Sequence, residues 1–440
     1  MAVVRCNPRA NFAPVTEERS DFDLRVRGRL PAGLQGQYVR TGANPEGDVN
    51  PTRHPGLASA GMVHGTLLGG GRALGYRNRW IRPPSIPRHL ERELLLPAGG
   101  GAAALFHHAG QLHATAELGL PCRLSANLDT LGLCDFGAPL PAGAAPHVRK
   151  DPKTGELHVL AYHFEAPYLR HHRIDRRGHL LESRDLEWPR ASMVHDFALT
   201  ESHLVVFDLP VLFSEDAMLD GQPLPYRWHP GAGARIGLLS RHGPVDTQWF
   251  DLDPCWVSHL AGARRDDTRI VIDMITAPAG FHRDCWGEDE GVCQLMRCTL
   301  DPRRGVALPE VLDADAQEYP VRDSRLPYAD SRWLWTTALE TDADGQLPAG
   351  RYLYRHDLDT GERIEVAFPD TCLGGELTFV PADARAAEGK GWLLGYLWNP
   401  EDDTSELLVL DALAPAAPPL ARVQLPQRVP FGTHGCWVPG

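Results

Sequence analysis

Four histidines of this 440-residue chain stand in a common local setting that would suit a metal site. Each lies beside small residues at the start or end of an apolar segment: His147 in AAPHVRKDP, His195 in ASMVHDFALT, His259 in CWVSHLAGA and His434 in FGTHGCW. Neutral imidazole is a common ligand of transition metals. The chain contains twenty histidines, so this setting alone admits other groupings.

The spacing of these histidines indicates that they belong to different copies of a repeated unit. The separations are 48 residues from His147 to His195, 64 from His195 to His259, and 175 from His259 to His434. A four-stranded propeller blade with its loops takes about 60 residues, so these separations are close to one, one and three blades. Four imidazoles from four blades could then converge on the axis of a propeller.

The elements that would position them are short strands. The apolar runs are of strand length and rich in Val, Ile, Leu and aromatic residues; they are HVLAYHF (158–164), HLVVFDLPVLF (203–213), RIVIDMI (269–275), RYLYRHDL (351–358), GWLLGYLW (391–398) and ELLVLDAL (406–413). Turns that begin with Asp and contain Gly separate them, and two of these turns, DPKTGE (151–156) and DLDTGE (357–362), resemble each other. No long amphipathic helix is evident.

Length and composition narrow the fold and exclude some functions. A chain of 440 residues exceeds the roughly 250–300 residues that one ordinary core supports, whereas a propeller adds blades without enlarging any core. No stretch resembles a linker, so the sequence predicts one β-propeller domain over residues 1–440. The formal net charge of −13 argues against a nucleic-acid partner. The nine cysteines are scattered and odd in number, and no signal peptide is evident, which favours reduced thiols and a cytoplasmic location.

Several motifs resemble the carotenoid cleavage oxygenase family, and they extend from about residue 11 to residue 439. They are NFAPVTEE (11–18), LRVRGRLPAGLQGQYVRTGANP (24–45), GMVHG (61–65), GYRNRWIR (75–82), DPKTGELHVLAYHF (151–164), MVHDFALT (193–200), GELTFVP (375–381) and GTHGCWVP (432–439). The resemblance implies an all-β, seven-bladed β-propeller with loops that cap one face and a non-haem Fe(2+) on the axis. The family's metal ligands match His147, His195, His259 and His434.

The resemblance also implies three glutamates that orient the ligand rings and offset the metal's charge. The family's motifs place them at Glu117 in ATAELGLP, at Glu318 in QEYPVR and at Glu376 in GELTFVP. The match is weakest at Glu318, and Leu377 replaces a proline that is usual in the family. The alternative for each is an ordinary solvated acid at the end of a strand.

Two departures from the family pattern affect the surroundings of the metal. The family usually has WFDGDG before the stretch GMVHG, where this chain has PGLASA (55–60). The family often has NTS about fourteen residues before the first glutamate, where this chain has three alanines (102–104). In relatives the threonine of that triplet crowds an open position on the iron. Ala103 should therefore leave that position uncrowded.

The predicted function is cleavage of a C=C bond of a carotenoid or apocarotenoid by O₂, giving two carbonyl products. A stilbene or phenylpropanoid alkene is the alternative within the family. Stilbene cleavers have a lysine and a tyrosine that bind the phenol, where this chain has Ala116 and Trp80, so a hydrocarbon is favoured. The alternatives from other classes are a propeller hydrolase that uses Ca²⁺ or Zn²⁺ and a binding propeller without catalysis.

One further segment bears on the partners. Residues 88–100, RHLERELLLPAGG, form a short apolar stretch that could dip into a membrane and extract a lipophilic substrate. The alternative is a buried loop or a contact between two copies of the chain. No apolar run reaches the roughly 18 residues of a membrane span, and the sequence carries no signal for an oligomeric state.

Overall fold

The computed structural model describes residues 8–45, 60–85, 101–220, 224–243, 246–280, 291–342 and 345–440. These residues build seven antiparallel sheets of four to six strands, which follow one another along the chain. The sheets are the blades of a seven-bladed β-propeller, so the predicted fold class is confirmed. The segments 55–59 and 88–100, for which the sequence suggested a family departure and an apolar lip, lie outside the described residues.

The strands are given in chain order, with the blade to which they belong. Two short strands precede the first complete hairpin: β1 (Arg19–Phe22) and β2 (Val26–Gly28). Blade 1 then adds β3 (Gly36–Ala43), β4 (Gly61–Gly69) and β5 (Arg72–Trp80). Blade 2 contains β6 (Ala104–His108), β7 (Gln111–Thr115), β8 (Cys122–Leu124) and β9 (Thr130–Leu133). Blade 3 contains β10 (Val148–Lys150), β11 (Leu157–Tyr162), β12 (Leu169–Ile174) and β13 (Leu180–Leu186).

The later blades are longer and two of them carry inserted hairpins. Blade 4 contains β14 (Phe197–Leu199), β15 (His203–Asp208), the hairpin β16 (Val211–Phe213) and β17 (Tyr226–Trp228), then β18 (Ala234–Ser240) and β19 (Thr247–Leu252). Blade 5 contains β20 (Trp256–Asp266), β21 (Arg269–Ala277), β22 (Gln294–Asp301) and β23 (Val306–Asp313). Blade 6 contains β24 (Gln317–Val321), β25 (Trp333–Ala338), the hairpin β26 (Thr341–Asp342) and β27 (Gly345–Gln346), then β28 (Tyr352–Asp357) and β29 (Arg363–Ala367). Blade 7 contains β30 (Leu373–Gly374), β31 (Thr378–Pro381), β32 (Gly391–Asn399), β33 (Thr404–Asp411) and β34 (Ala421–Gln424), and the chain ends with β35 (Gly435–Pro439).

Helical structure is sparse. The short helix α1 (Glu215–Leu219) lies between β16 and β17, and Ser214 caps it by accepting the amide proton of Ala217. Three 3₁₀ turns cover Pro8–Phe12, Pro230–Ala232 and Tyr328–Asp330.

Both ends of the chain close the ring of blades. The C-terminal strand β35 pairs with β3 and completes blade 1, while β2 pairs with β34 and completes blade 7. Strand β1 pairs with β5 at the outer edge of blade 1. The N-terminal strands therefore bridge the first and last blades, and the C-terminal tail becomes the innermost strand of blade 1.

The apolar runs form strands close to where the sequence places them, with one exception. The run 203–213 contains two strands rather than one, because Pro210 lacks the amide proton that a continuous ladder needs. The two similar turns, 151–156 and 357–362, share the same local bonds, since Asp151 and Asp357 each accept the amide proton two residues ahead. They occupy different places, however: the first joins β10 to β11 and the second joins β28 to β29. Their likeness reflects turn chemistry and not a blade repeat.

The blades present one end to the predicted site. The innermost strand of each blade begins at this end, and the second strand returns to it because the pair is antiparallel. Connections from the second to the third strand, and from one blade to the next, therefore lie on the same face. Among the described residues the longer ones include 134–147 and 209–220, the latter with α1.

Candidate metal centre

Every blade contributes one of the seven predicted site residues to the same end of the propeller axis. In order from blade 1 to blade 7 they are His434, Glu117, His147, His195, His259, Glu318 and Glu376. In the structure, successive histidines along the chain are one, one and three blades apart, as their spacing in the sequence predicts. All seven residues predicted from the sequence are thus brought together.

The four imidazole rings cluster edge to face. The ring centroid of His147 lies 4.8 Å from that of His195, 5.0 Å from that of His259 and 4.6 Å from that of His434. The candidate ligand atoms of His147, His195 and His259 all lie within 4.8 Å of one another. His434 lies next to this group, because its Nε2 is 3.1 Å from Nε2 of His259.

Three of the four rings are held by a carboxylate on the nitrogen that faces away from the cluster. Nδ1 of His195 donates to Glu117 at 2.9 Å, and Nδ1 of His259 donates to Glu318 at 2.7 Å. Likewise Nδ1 of His434 donates to Glu376 at 2.9 Å. A carboxylate can only accept, so each bond fixes the proton on Nδ1 and leaves the lone pair of the neutral ring on Nε2.

The resulting electron pairs fit a bound cation. Nε2 of His259 and Nε2 of His434 face each other at 3.1 Å, and each carries a lone pair when its Nδ1 carries the proton. Nε2 of His147 is buried and has no hydrogen-bond partner among the described residues, which is costly for a polar atom. Two nitrogens about 2.1 Å from one metal ion and at a right angle to each other would be about 3 Å apart. The donor set therefore fits a transition metal that accepts imidazole.

The electrostatics differ between the rings that have a glutamate and the ring that has none. Burial alone would lower the pKa of His195, but the Glu117 carboxylate outweighs it and the pKa is raised. Burial alone would raise the pKa of Glu318, yet His259 and the surrounding hydrogen bonds hold it below its usual value. His147 has no carboxylate partner, and burial lowers its pKa well below the ordinary histidine value.

Each glutamate is itself anchored by further donors that the sequence did not reveal. The hydroxyl of Tyr162 donates to Glu117 at 2.7 Å from the end of the second strand of blade 3. Glu318 accepts from the hydroxyl of Ser258 and from the amide of Tyr319. Tyr319 has a φ of +59°, a rare conformation for a bulky residue that directs its amide to the preceding carboxylate.

Close packing around the C-terminal tail fixes the fourth ring. The hydroxyl of Thr433 donates to the carbonyl of Ala102 at 3.0 Å and also to that of Ala103, which ties β35 to the start of blade 2. A Cβ added to Gly435 would lie 2.9 Å from the hydroxyl of Tyr38, so a larger residue there would push the tail away from the axis. The tail is therefore half-buried and held by specific contacts.

The positions that distinguish substrates in the family carry no free polar group here. Ala116 is buried next to Glu117. The indole N–H of Trp80 donates to the carbonyl of Asn44 at 3.1 Å and is thereby occupied. Ala103 is 1% exposed and its amide is bonded to Thr115, so a side chain added there would meet packed surroundings.

Within the described ranges no helix is both long and apolar enough to cross a membrane.

Comparisons with known proteins identify a family and a similar relative for this chain. The family model described as "Retinal pigment epithelial membrane protein" matches residues 12–439. A protein of Mycobacterium tuberculosis named carotenoid cleavage oxygenase is 32% identical over an alignment of 486 positions, which covers 97% of this chain and 96% of that protein.

Two solved structures share the architecture nearly end to end. The lignostilbene dioxygenase of Pseudomonas brassicacearum superimposes with a TM-score of 0.86 at 25% identity, covering 98% of both chains. A variant of the Synechocystis apocarotenoid oxygenase superimposes with a TM-score of 0.83 at 25% identity, again covering 98% of both chains.

Proposed function

The chain belongs to the carotenoid cleavage oxygenase family, whose members cleave carotenoids, apocarotenoids or stilbenes, and from that premise we propose that it is a non-haem Fe(II) dioxygenase. Its reaction would be the cleavage of a C=C bond of a carotenoid or apocarotenoid by O₂. Both oxygen atoms would enter the products, one in each of two carbonyl compounds.

One observation carries the proposal. Three Nδ1–carboxylate bonds direct the Nε2 lone pairs of His195, His259 and His434 away from their glutamates, and the buried Nε2 of His147 has no partner. His147, His195, His259 and His434 would hold Fe(II), because neutral imidazole suits this metal. Bound Fe(II) would supply the site at which O₂ is activated.

The protein's own groups would bind and orient. Four neutral imidazoles add no charge, so the carboxylates of Glu117, Glu318 and Glu376 would offset the two positive charges of the metal. The same carboxylates would keep each ring in the tautomer that binds metal. The reaction transfers no proton between substrate and protein, and we assign no general acid or base.

A hydrocarbon substrate is supported by the two positions that stilbene cleavers use for the phenol. Ala116 offers no polar atom, and the N–H of Trp80 is taken by Asn44. A stilbene or phenylpropanoid alkene is the second candidate, because the superposition on the lignostilbene dioxygenase extends over 98% of the chain.

The experiment combines metal reconstitution with isotope labelling. Protein purified without metal is loaded anaerobically with Fe(II) and given a carotenoid, an apocarotenoid and a stilbene under ¹⁸O₂. Mass spectrometry follows each reaction, which is stopped before the carbonyl oxygens exchange with water. We expect an apocarotenoid or carotenoid to give two products that each carry one ¹⁸O.

The controls separate the other classes. The same protein loaded with Ca²⁺ or Zn²⁺ should be inactive, and the His195→Ala variant should neither retain iron nor cleave. Label in only one of the two products would contradict the dioxygenase reaction. Cleavage of the stilbene alone would favour the second candidate substrate. Protein that binds no stoichiometric iron would instead support the alternative of a binding propeller without catalysis.

We also propose, on the sequence features alone, that residues 1–440 form one domain in the cytoplasm. The segment 88–100 would then make peripheral contact with a membrane from which the lipophilic substrate is drawn.

A further inference from the structure

A buried carboxylate joins three blades through residues that are next to the imidazole ligands in the sequence. Both oxygens of Asp196 in blade 4 lie 2.6 Å from Nη2 of Arg149 in blade 3. One of them also accepts the amide of Leu260 in blade 5 at 2.9 Å, and the other accepts the amide of Phe197 at 2.7 Å. The side chain of Asp196 is 2% exposed, so these bonds are shielded from water.

The three blades joined in this way are those that carry the three mutually close histidines. Arg149 follows His147 by two residues and lies on β10, the inner strand that begins directly after His147. Asp196 directly follows His195, and Leu260 directly follows His259. The linked positions therefore form one layer next to the ligand layer.

Arg149 has additional bonds that hold it in place. Its Nε donates to the carbonyl of Phe197 at 2.7 Å, and its Nη2 is 3.4 Å from the carbonyl of Leu260. The guanidinium is planar and forks over several acceptors at once, so it fixes direction as well as distance. His147 lies two residues before this anchor, and among the described residues it is the one imidazole of the four that has no glutamate on its ring.

We propose that Asp196 and Arg149 are positioning residues that set the spacing of His147, His195 and His259 and substitute for the glutamate that His147 lacks. The inference rests on the proposed metal site. A loss of this layer lets blade 3 shift against blades 4 and 5, which moves the Nε2 atom of His147 relative to the other two.

The chain contains a matched control at the opposite end of the same two blades. Arg241 of blade 4 binds Asp151 of blade 3, and both side chains are less than 10% exposed. Asp151 lies four residues beyond His147, roughly 13 Å of extended chain away. The two ion pairs thus resemble each other in chemistry, although Arg149 is 26% exposed and Arg241 only 6%. They differ in their distance along the chain from the imidazoles.

The test uses Co(II) as a probe on the full-length protein, without any substrate. Metal-free wild type, Asp196→Asn, Arg149→Lys and Asp151→Asn are titrated with Co(II) while the visible absorption bands and the dissociation constant are recorded. Thermal unfolding of each metal-free protein is measured in parallel. Arg149→Lys keeps the positive charge but removes the planar guanidinium that binds several acceptors at once. It therefore remains informative if Asp196→Asn does not fold.

We expect Asp196→Asn and Arg149→Lys to bind Co(II) roughly 10- to 100-fold more weakly than wild type, with a changed band pattern. Asp151→Asn should lower the unfolding temperature yet keep the wild-type Co(II) spectrum and affinity. Unchanged spectra and affinities in both variants of the Asp196 layer, or an equal change in Asp151→Asn, would overturn the positioning role. Failure of the proposed metal site looks different, since wild-type protein would then bind Co(II) no better than His147→Ala.

Discussion

Two regions of this propeller contain clusters of buried or half-buried histidines, and the side chains that bind the rings carry opposite charges in the two regions. The imidazole centre consists of His147, His195, His259 and His434, and carboxylates bind three of its rings. The other region, which we call the His158 network, consists of His158, His171, Arg184, Arg241 and Asp151. Guanidinium groups bind its two rings.

The His158 network leaves little nitrogen available for a metal. Nε2 of His158 accepts from Arg241 at 3.0 Å, and its Nδ1 lies 2.9 Å from Nε2 of His171. Nδ1 of His171 accepts from Arg184 at 3.2 Å. Burial and the neighbouring Arg241 lower the pKa of His158 to about 3. A cation would have to displace guanidinium groups in order to enter.

The difference shows that the burial of a histidine does not by itself mark a metal site. His195 and His259 in the imidazole centre, like both histidines of the His158 network, are at most 5% exposed. Acceptors on Nδ1 expose lone pairs on Nε2 and favour a cation, whereas donors on the ring nitrogens occupy those lone pairs and exclude one. The predictions below test whether this distinction controls metal binding.

The largest expected effect is the loss of a ligand. Replacement of any one of His147, His195, His259 or His434 by Ala should strip the metal and abolish oxygenation while the fold is kept. His158→Gln should instead cost stability and leave metal content near that of wild type. Metal analysis of protein reconstituted with Fe(II), together with circular dichroism, measures both. Full metal in three of the four alanine variants would show that the axis is not the metal site.

The loss of an orienting carboxylate should have a smaller effect. Glu117→Gln or Glu376→Gln should weaken metal affinity or turnover by roughly 10–100-fold, because the ring loses its charged acceptor and the site loses compensating charge. Glu201→Gln, which removes an exposed carboxylate paired with Lys153, is the control and should behave as wild type. Unchanged affinity and turnover in both of the first variants would make those glutamates ordinary acids.

Buried histidines should also change stability with pH in metal-free protein, and the sign depends on whether burial or a neighbouring carboxylate dominates the pKa of the ring. Burial lowers the pKa of His64 and His158 to about 3, and those of His113, His172 and His356 to about 4. The unfolded chain, with a pKa near 6.5, then binds more protons than the folded chain below that pH. Stability should therefore fall as the pH drops from about 6.5 towards 4, by about 2 kcal/mol per such histidine at pH 5.

His195 should contribute in the other direction, because its pKa is raised in the folded chain. Its contribution is fully present below pH 6.5 and is lost as the pH rises through the folded value. Urea unfolding of wild type, His158→Gln and His195→Gln between pH 5 and pH 8 measures both effects. His158→Gln should flatten the fall of stability below about pH 6.5, and His195→Gln should remove the loss of stability that occurs as the pH rises above about 6.5. A change in the same pH range in both variants would contradict the distinction.

The smallest expected effect concerns the open side of the centre. Ala103→Thr should keep the metal, since no ligand changes, but alter turnover or the binding of nitric oxide to the iron. A β-branched side chain is stiff at χ1 and would project its methyl group at a fixed angle from this buried position. Electron paramagnetic resonance and steady-state rates report the change. Identical spectra and rates would show that residue 103 does not face the iron.

Much of the fold was predictable because its signals are local. Runs such as 269–275 and 391–398 become β21 and β32 with small shifts of their ends. The split of the run 203–213 at Pro210 follows from a rule that the sequence already carries. The exchange of β2 into blade 7 could not be read from the sequence, because Val26 and its neighbours pair with residues almost 400 positions away.

The residues of the site also include some that short motifs predict and others that only the packing of the blades reveals. The motifs located His195 and His434, and also Glu117 and Glu376, because short patterns around them are specific. Tyr162 lies inside the motif DPKTGELHVLAYHF and Arg149 lies two residues beyond His147, but the sequence did not indicate their roles. Those roles arise only where blades meet: Tyr162 of blade 3 binds Glu117 of blade 2. Asp196 stands inside the motif MVHDF, so the signal was present, but its contact with Leu260 depends on the packing of blade 5.

The most direct test of the metal assignment is X-ray absorption at the iron K-edge of protein reconstituted anaerobically with one Fe(II) per chain. We expect nitrogen or oxygen scatterers at about 2.1 Å from the iron, outer scattering that fits four imidazoles, and no sulfur. The His434→Ala variant should lose the iron or one imidazole from the fit. A sulfur scatterer, fewer than three imidazoles, or a spectrum unchanged by His434→Ala would contradict a metal held on the axis by these four rings.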